Sequence, residues 1–335
     1  MSRQGVEGKP RWSEVPEAVR REVETLAAAR VIRGARIWGG YGPAPTFRLR
    51  LADGRGLFFK AVHSGSNEFS RQALAREERV YQELGALLAP VAPQFYGVIA
   101  VDDWRALLLE DLGPKSAPPW KLALARIAAR DLAAFHASTL GVATPAWLDN
   151  VAESAARITW QQADEESDGL RQVAALAGAH AADAQSWLRA SLPRLSAVTS
   201  ALRQVPGPYA IIHGDVRSDN LRIVNGRLRL FDWPSVAVDF PEFDLAEFAQ
   251  SVEVDGGPDA ERVVAWYRER LDVRPEALDA AIGRLAAFFA YHAWQPEIPD
   301  LPRLRRFQRQ QLAVTLRWLA RRLAMPLPRW TAALD

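Results

Sequence analysis

The chain has 335 residues, 42 basic against 40 acidic side chains, and no cysteine. That length accommodates about two domains of roughly 150 residues, and 49% hydrophobic with 24% charged residues is a globular composition. Without cysteine there is no disulfide framework, no thiolate-ligated metal centre and no cysteine nucleophile, and a net charge of +2 is no footprint of a nucleic-acid binder.

The polar start, Met1 to Arg11, has no apolar core of a leader, and no stretch reaches 18 uninterrupted apolar residues. The expectation is a cytoplasmic protein without a membrane or nucleic-acid partner. A first helix is predicted over Pro16–Arg30, followed by strands at Ala35–Trp38, Phe47–Leu51 and Leu57–Val62, the last two joined by the hairpin signal Asp53-Gly54. A helix over Asn67–Leu84 precedes two more strands, Phe95–Val101 and Arg105–Leu109, parted by Asp102-Asp103. After Gly113-Pro114 the pattern turns helical: Lys121–His136, then Ala152–Val205, then Glu242 to the end, where Leu312, Leu316, Leu319 and Leu323 share one face. One β-rich interlude, Tyr209–Phe231, interrupts it. The expected fold is α+β and bilobal, with a small antiparallel-sheet lobe over residues 1–112 and a larger, mainly helical lobe over 113–335.

The interlude carries the chemistry. Ile211-Ile212 leads into His213-Gly214-Asp215-Val216-Arg217-Ser218-Asp219-Asn220, then Leu221–Val224, the two-residue turn Asn225-Gly226 and the returning Arg227–Phe231. Four residues out and five back bring Asp232 beside Asn220 at the hairpin's open end, with Asp215 close in sequence. An amide oxygen and a carboxylate are hard ligands of the kind Mg²⁺ accepts alongside nucleotide phosphates. The remaining acid can orient a hydroxyl and take its proton.

His213-Gly214-Asp215, Asn220, Asp232 and the later Pro241-Glu242-Phe243-Asp244-Leu245-Ala246 together resemble the aminoglycoside phosphotransferase family, related in fold to choline kinases and protein kinases. Glycine between His and Asp, where protein kinases usually carry arginine, points to the small-molecule branch. The resemblance implies Asp215 as catalytic base, Asn220 and Asp232 as Mg²⁺ ligands, and His213 and Asp244 as supports of the catalytic loop. Arg217, two residues after the base, is placed to contact the transferring phosphate.

In that fold a strand lysine holds the α- and β-phosphates and is itself held by a helix glutamate. Only four cations of this chain are lysine (Lys9, Lys60, Lys115 and Lys121), and three stand beside turn or loop signals. Lys60 alone follows an apolar strand run, Leu57-Phe58-Phe59. In the next helix Glu77 falls on the apolar stripe Leu74, Tyr81, Leu84, and a buried lysine and a buried glutamate each need the other. Glu78 is the alternative should the helix register slip. Leu107–Gly113 resembles the hinge, where backbone groups at Glu110 and Leu112 would meet the adenine edge. Between the first two strands, Trp38–Thr46 would cover the phosphates through Gly40 and Gly42, although Pro43 and Pro45 remove N–H donors; an ordinary turn accounts for it equally.

His136 in its helix reads as packing, and His63, His180 and His292 have no metal-ligand spacing. The acidic run Asp164–Asp168 reads as solvated surface, with attraction of a polycation as the rival, and the arginines of 303–322 as the polar side of an amphipathic helix, given to solvation and ion pairing. The function expected is an ATP- and Mg²⁺-dependent kinase acting on a hydroxyl of a small molecule, GTP being compatible with the same motifs. A nucleotide-binding pseudokinase or scaffold is the alternative, motivated by the poor glycine loop. A protein kinase is disfavoured, since Phe231-Asp232-Trp233-Pro234 stands where Asp-Phe-Gly belongs and no Ala-Pro-Glu appears. Neither the acceptor's identity nor the oligomeric state is encoded in these motifs.

Overall fold

Alternating apolar and polar residues turn the first part of the chain into an antiparallel sheet, and the chain's own first helix closes one face of it. The computed structural model of the protein describes residues 9–37, 44–148, 159–165, 168–200, 206–298 and 303–334. They fall into two units, Met1–Lys115 with Arg229–Ser235, and Ser116–Leu228 with Val236–Asp335. The division is not contiguous: a strip from the second half of the chain completes the first unit.

In the first unit a 3₁₀ turn at Trp12–Glu14 precedes α1 (Glu17–Ala27), which ends at Ala28 in the left-handed conformation. Five strands follow: β1 (Val31–Arg36), β2 (Thr46–Leu51), β3 (Gly56–Val62), β4 (Phe95–Val101) and β5 (Trp104–Glu110). They pair antiparallel in the order β1-β2-β3-β5-β4. α2 (Glu68–Leu88) lies between β3 and β4 in sequence, capped by Asn67, whose side chain accepts the Ser70 N–H. The register sets Phe47 opposite Phe59 and Leu49 opposite Leu57, all buried against Val19, Val23 and Ala27 of α1. Trp12 meets the two phenylalanine rings edge-on at 5.3 and 5.4 Å, and each ring's burial is worth about 2–3 kcal/mol. A Cβ at Gly34 would stand 2.4 Å from Trp12 Cγ, so only glycine lets β1 pass the indole. Thr46 and Lys60, directly paired across β2 and β3, share the other face.

One expectation changes here. The first strand runs over Val31–Arg36 rather than 35–38, because pairing with β2 carries it back through Arg33 and Gly34, which lack the apolar alternation. Lys9 stands in irregular chain and is buried: it is 5% exposed and donates to Ile37 O (3.1 Å) and Thr46 Oγ1 (3.2 Å). Gly40, Gly42 and Tyr41 lie outside the described residues.

The second unit is mainly helical. α3 (Leu122–Thr139) comes first, and the described part of the stretch predicted as one helical run holds three helices: α4 (Trp160–Glu165), α5 (Gly169–Ala175) and α6 (Ala181–Ser200). β6 (Ala210–Ile212) is followed by the hairpin of β7 (Leu221–Val224) and β8 (Arg227–Leu230), and then by β9 (Ala237–Asp239), which pairs antiparallel with β6. Asn225 (φ 51°) and Gly226 (φ 72°) take the left-handed conformations that the two-residue turn requires. α7 (Pro241–Val254), α8 (Ala260–Arg268), α9 (Pro275–His292) and α10 (Leu304–Arg322) complete the unit. α7 is its centre, buried along nearly its whole length and packed against α3, α8, α9 and α10.

On α10, Leu312, Leu316 and Leu319 are buried on one face as the spacing requires. Arg322 makes the ion pairs expected of this helix, with Asp279 and Glu261, whereas Arg305 is not solvated: it is 6% exposed and donates to Pro296 O and Gln308 Oε1. The fold class is the expected α+β, and no helix among the described residues is long and apolar enough to cross a membrane.

Candidate active site

In the first unit β3 presents Lys60 to α2. Lys60 Nζ donates to Glu77 Oε2 at 2.6 Å and to Asp232 Oδ1 at 2.5 Å, with Glu77 only 1% exposed. Burial alone would lower the Lys60 ammonium's pKa; the Asp232 and Glu77 carboxylates outweigh it and hold it above its ordinary value. Burial pushes the Glu77 carboxyl up, Lys60 opposing and Asp232 adding to the rise. Glu77 Oε1 also accepts the Trp233 N–H at 3.3 Å, which ties α2 to the Asp232 segment. The helix register does not slip. Glu78 instead takes Arg105, whose Nε reaches Glu78 Oε2 at 2.5 Å.

Asp232 has φ 70°, a left-handed conformation that Asp and Asn tolerate better than most residues. In the predicted hinge, Glu110 N–H is committed to Gln94 O (2.8 Å) and Asp111 N–H to Gly56 O (3.3 Å). Asp111 further holds Arg48 Nε (2.8 Å) and the Gly113 N–H (3.0 Å). Of the three hinge N–H groups, that leaves Leu112's for a ligand.

The second unit gathers the other candidates at residues 213–220. Asp215 is engaged by two neighbours. Arg217 forks onto it, Nε to Oδ1 at 2.5 Å and Nη2 to Oδ2 at 2.9 Å, while its guanidinium lies 5.4 Å from the Phe307 ring centroid. Asn220 Nδ2 donates to Asp215 O (3.0 Å) and Asp215 Oδ2 (2.7 Å). Both contacts are acceptors, so the amide must present its nitrogen to them. Its oxygen is thereby left for a hard cation, a fit to Mg²⁺ resting on donor chemistry. Asp232 offers carboxylate oxygens of the same kind on a side chain 41% exposed. Among the described residues no three His, Asp or Glu side chains form a metal cage of their own.

The loop is pinned from below by α7. Asp244 accepts the N–H groups of His213 (2.6 Å) and Gly214 (2.8 Å), Glu247 Oε2 that of Val216 (2.7 Å), and Ser251 Oγ that of Ser218 (3.2 Å). His213 Nδ1 accepts the Asp215 N–H at 3.2 Å. Trp120 Nε1 reaches Ser218 Oγ at 2.9 Å.

Sequence reasoning overlooked three of these. Glu247 and Ser251 are visible only as polar residues three and seven positions after Asp244, which share its face once the helix is known to be buried. His136, read as packing, is also wired: its Nε2 lies 3.2 Å from Asp244 Oδ2 and its Nδ1 2.6 Å from Tyr267 Oη. Since a carboxylate only accepts, Nε2 carries the proton in its contact with Asp244. In the acidic run, Asp168 pairs with Arg171 at 2.7 Å on an exposed surface.

A sequence model of the phosphotransferase enzyme family matches residues 33–275. Among solved structures, a Thermobifida fusca protein assigned as a fructosamine-3-kinase superposes with a TM-score of 0.52 at 22% identity, covering 90% of this chain and 98% of that one. The spectinomycin phosphotransferase APH(9)-Ia, solved with ADP and spectinomycin, gives 0.53 at 13% identity, over 87% and 92%. A thermostable mutant of the aminoglycoside phosphotransferase APH(4)-Ia gives 0.52 at 14%, over 94% and 98%. At these identities the likeness is one of fold, that of small-molecule kinases. No curated protein matches the chain by sequence.

Proposed function

Because the chain belongs to the phosphotransferase enzyme family, we propose that it is a kinase transferring the γ-phosphoryl group of ATP, or of GTP, to a hydroxyl of a small molecule. The observation that carries this reading is Asp215: a half-exposed carboxylate on a loop whose backbone N–H groups are fixed by Asp244, Glu247 and Ser251. Such fixation is what a general base in phosphoryl transfer needs, since positioning does most of the work. The acceptor hydroxyl gives its proton to Asp215 as its oxygen bonds to the γ-phosphorus. The bond from that phosphorus to the bridging oxygen breaks, and the nucleoside diphosphate leaves.

In this reading the first unit binds the nucleotide and the second supplies the base and the acceptor surface. Lys60 turns from Asp232 to the α- and β-phosphates while Glu77 keeps it aimed. Leu112 meets the adenine edge through its backbone beside Glu110, and Gly40 and Gly42 cover the phosphates. Asn220 and Asp232 would each offer an oxygen to Mg²⁺, which would supply neutralisation of phosphate charge. Arg217 leaves Asp215 for the transferring phosphate. The complex of the spectinomycin enzyme with ADP supports a nucleotide as the donor, and the cytoplasm, where ATP and Mg²⁺ are held, is the compartment that suits the reaction.

One observation favours a second reading, a nucleotide-binding protein without turnover: both carboxylate oxygens of Asp215 are engaged, by Arg217 and Asn220. ADP release from Mg·ATP, measured across a panel of aminoglycosides, macrolides, amino alcohols and sugars, separates the two. A kinase releases ADP with some member of the panel and loses that release in Asp215→Asn. Tight Mg·ATP binding with no release above the Asp215→Asn background overturns the kinase.

A further inference from the structure

The two acids that α7 offers to the catalytic loop are provisioned differently. Asp244 collects three donors, the N–H groups of His213 and Gly214 and the His136 ring. Glu247 has one, the Val216 N–H at 2.7 Å, and among the described residues no cation pairs with it. Its residue is 8% exposed. The charges facing it are the carboxylates of Asp215 from the loop and Asp244 from its own helix, opposed only by Arg217, whose fork already grips Asp215. A buried carboxyl with one donor, two like charges and only a cation already held by Asp215 to oppose them is favoured in its protonated form. Burial first, then Asp215 and Asp244, push it well above the usual carboxylate range.

We propose that Glu247 is a positioning residue of the catalytic loop, fixing Val216, the neighbour of Asp215, from a neutral side chain. The base then stands over one charged acid of α7, Asp244, rather than two. One carbonyl oxygen suffices to hold the Val216 N–H, so the negative charge of an ordinary glutamate adds nothing here and would repel Asp215. The catalytic meaning of this contact rests on the kinase reading; the proton on Glu247 does not.

Three measurements on the full chain test it with Glu247→Gln and Glu247→Ala. The infrared difference spectrum of wild type minus Glu247→Gln at pH 7 is expected to show a carboxylic-acid carbonyl band. A group with a raised folded-state pKa stabilises less as pH climbs above the ordinary glutamate value of 4.5. The melting temperature of wild type relative to Glu247→Gln should therefore fall as pH climbs above about 4.5 and level off once the folded protein releases the proton. ADP release should drop on the order of 10²-fold in Glu247→Ala, through misplacement of the base, and be largely rescued in Glu247→Gln. An ionised-carboxylate difference in place of the acid band, with a pH-independent melting difference, overturns the proposal even if Glu247→Ala fails to fold. The acid band together with no ADP release from any variant upholds a neutral Glu247 and overturns the kinase reading instead.

Discussion

Lys60 and Glu77, seventeen positions apart, meet at 2.6 Å inside the first unit, and the glutamate is all but sealed from water. A buried ion pair contributes little beyond what a well-packed apolar pair would, but removing one member strands the other. Lys60→Met should therefore cost about 3 kcal/mol in urea unfolding at pH 7. The double variant Lys60→Met/Glu77→Gln should regain most of that loss. Equal stability of the two would show that Glu77 finds water or another cation.

The same pair sets two pH limits of opposite chemistry and equal sign. Glu77 is raised, chiefly by burial, so the folded state keeps its proton longer and this contribution declines as pH climbs above the ordinary glutamate value of 4.5. Lys60 is also raised, so its contribution is complete below 10.5 and is lost as pH climbs further. The stability of wild type relative to the double variant should thus step down twice on titration upward. Melting temperatures of both proteins on one pH series measure it.

Asp232→Asn is the cleanest probe of the metal reading, because asparagine tolerates the left-handed backbone that Asp232 adopts. We expect the Mg²⁺ concentration for half-maximal ADP release to rise at least ~10-fold. Chelation should abolish the release and added Mg²⁺ restore it. An unchanged Mg²⁺ requirement would remove Asp232 from the ligand set.

Arg217 cannot be replaced by lysine without losing the fork it makes on Asp215. Arg217→Ala should lower kcat about 10²-fold while moving KM for ATP little, as expected of a group that binds phosphate only as it transfers. A change confined to KM would assign it to nucleotide binding.

Strands β2 and β3 were legible because the face packed on α1 is fully buried and their other face only partly so, and Phe47, Leu49, Leu57 and Phe59 alternate cleanly. The Asn225-Gly226 turn was legible because few other pairs accept two positive φ angles. Lys60 and Glu77 could be matched from opposite sides, each being a charge where none belongs without a partner. The α7 contacts were harder to foresee. A wholly buried helix has no polar face toward water, so Glu247 and Ser251 carried no periodic signal. Arg305 misled for a related reason: an arginine-rich helix looks solvated all along its polar side, yet this side chain lies under cover, bonded to Pro296 O.

The strip Arg229–Ser235 also fixes an order of events in synthesis. A nascent chain that has reached Lys115 carries Lys60 and Glu77 but not Leu230, whose N–H docks on Val91 O at 2.6 Å, nor Trp233 and Asp232. At ribosomal speed the missing strip follows on the order of ten seconds later. The first unit is therefore complete only once the chain has been made past residue 235. A nick or truncation before residue 229 would leave it without the acid that completes its lysine site.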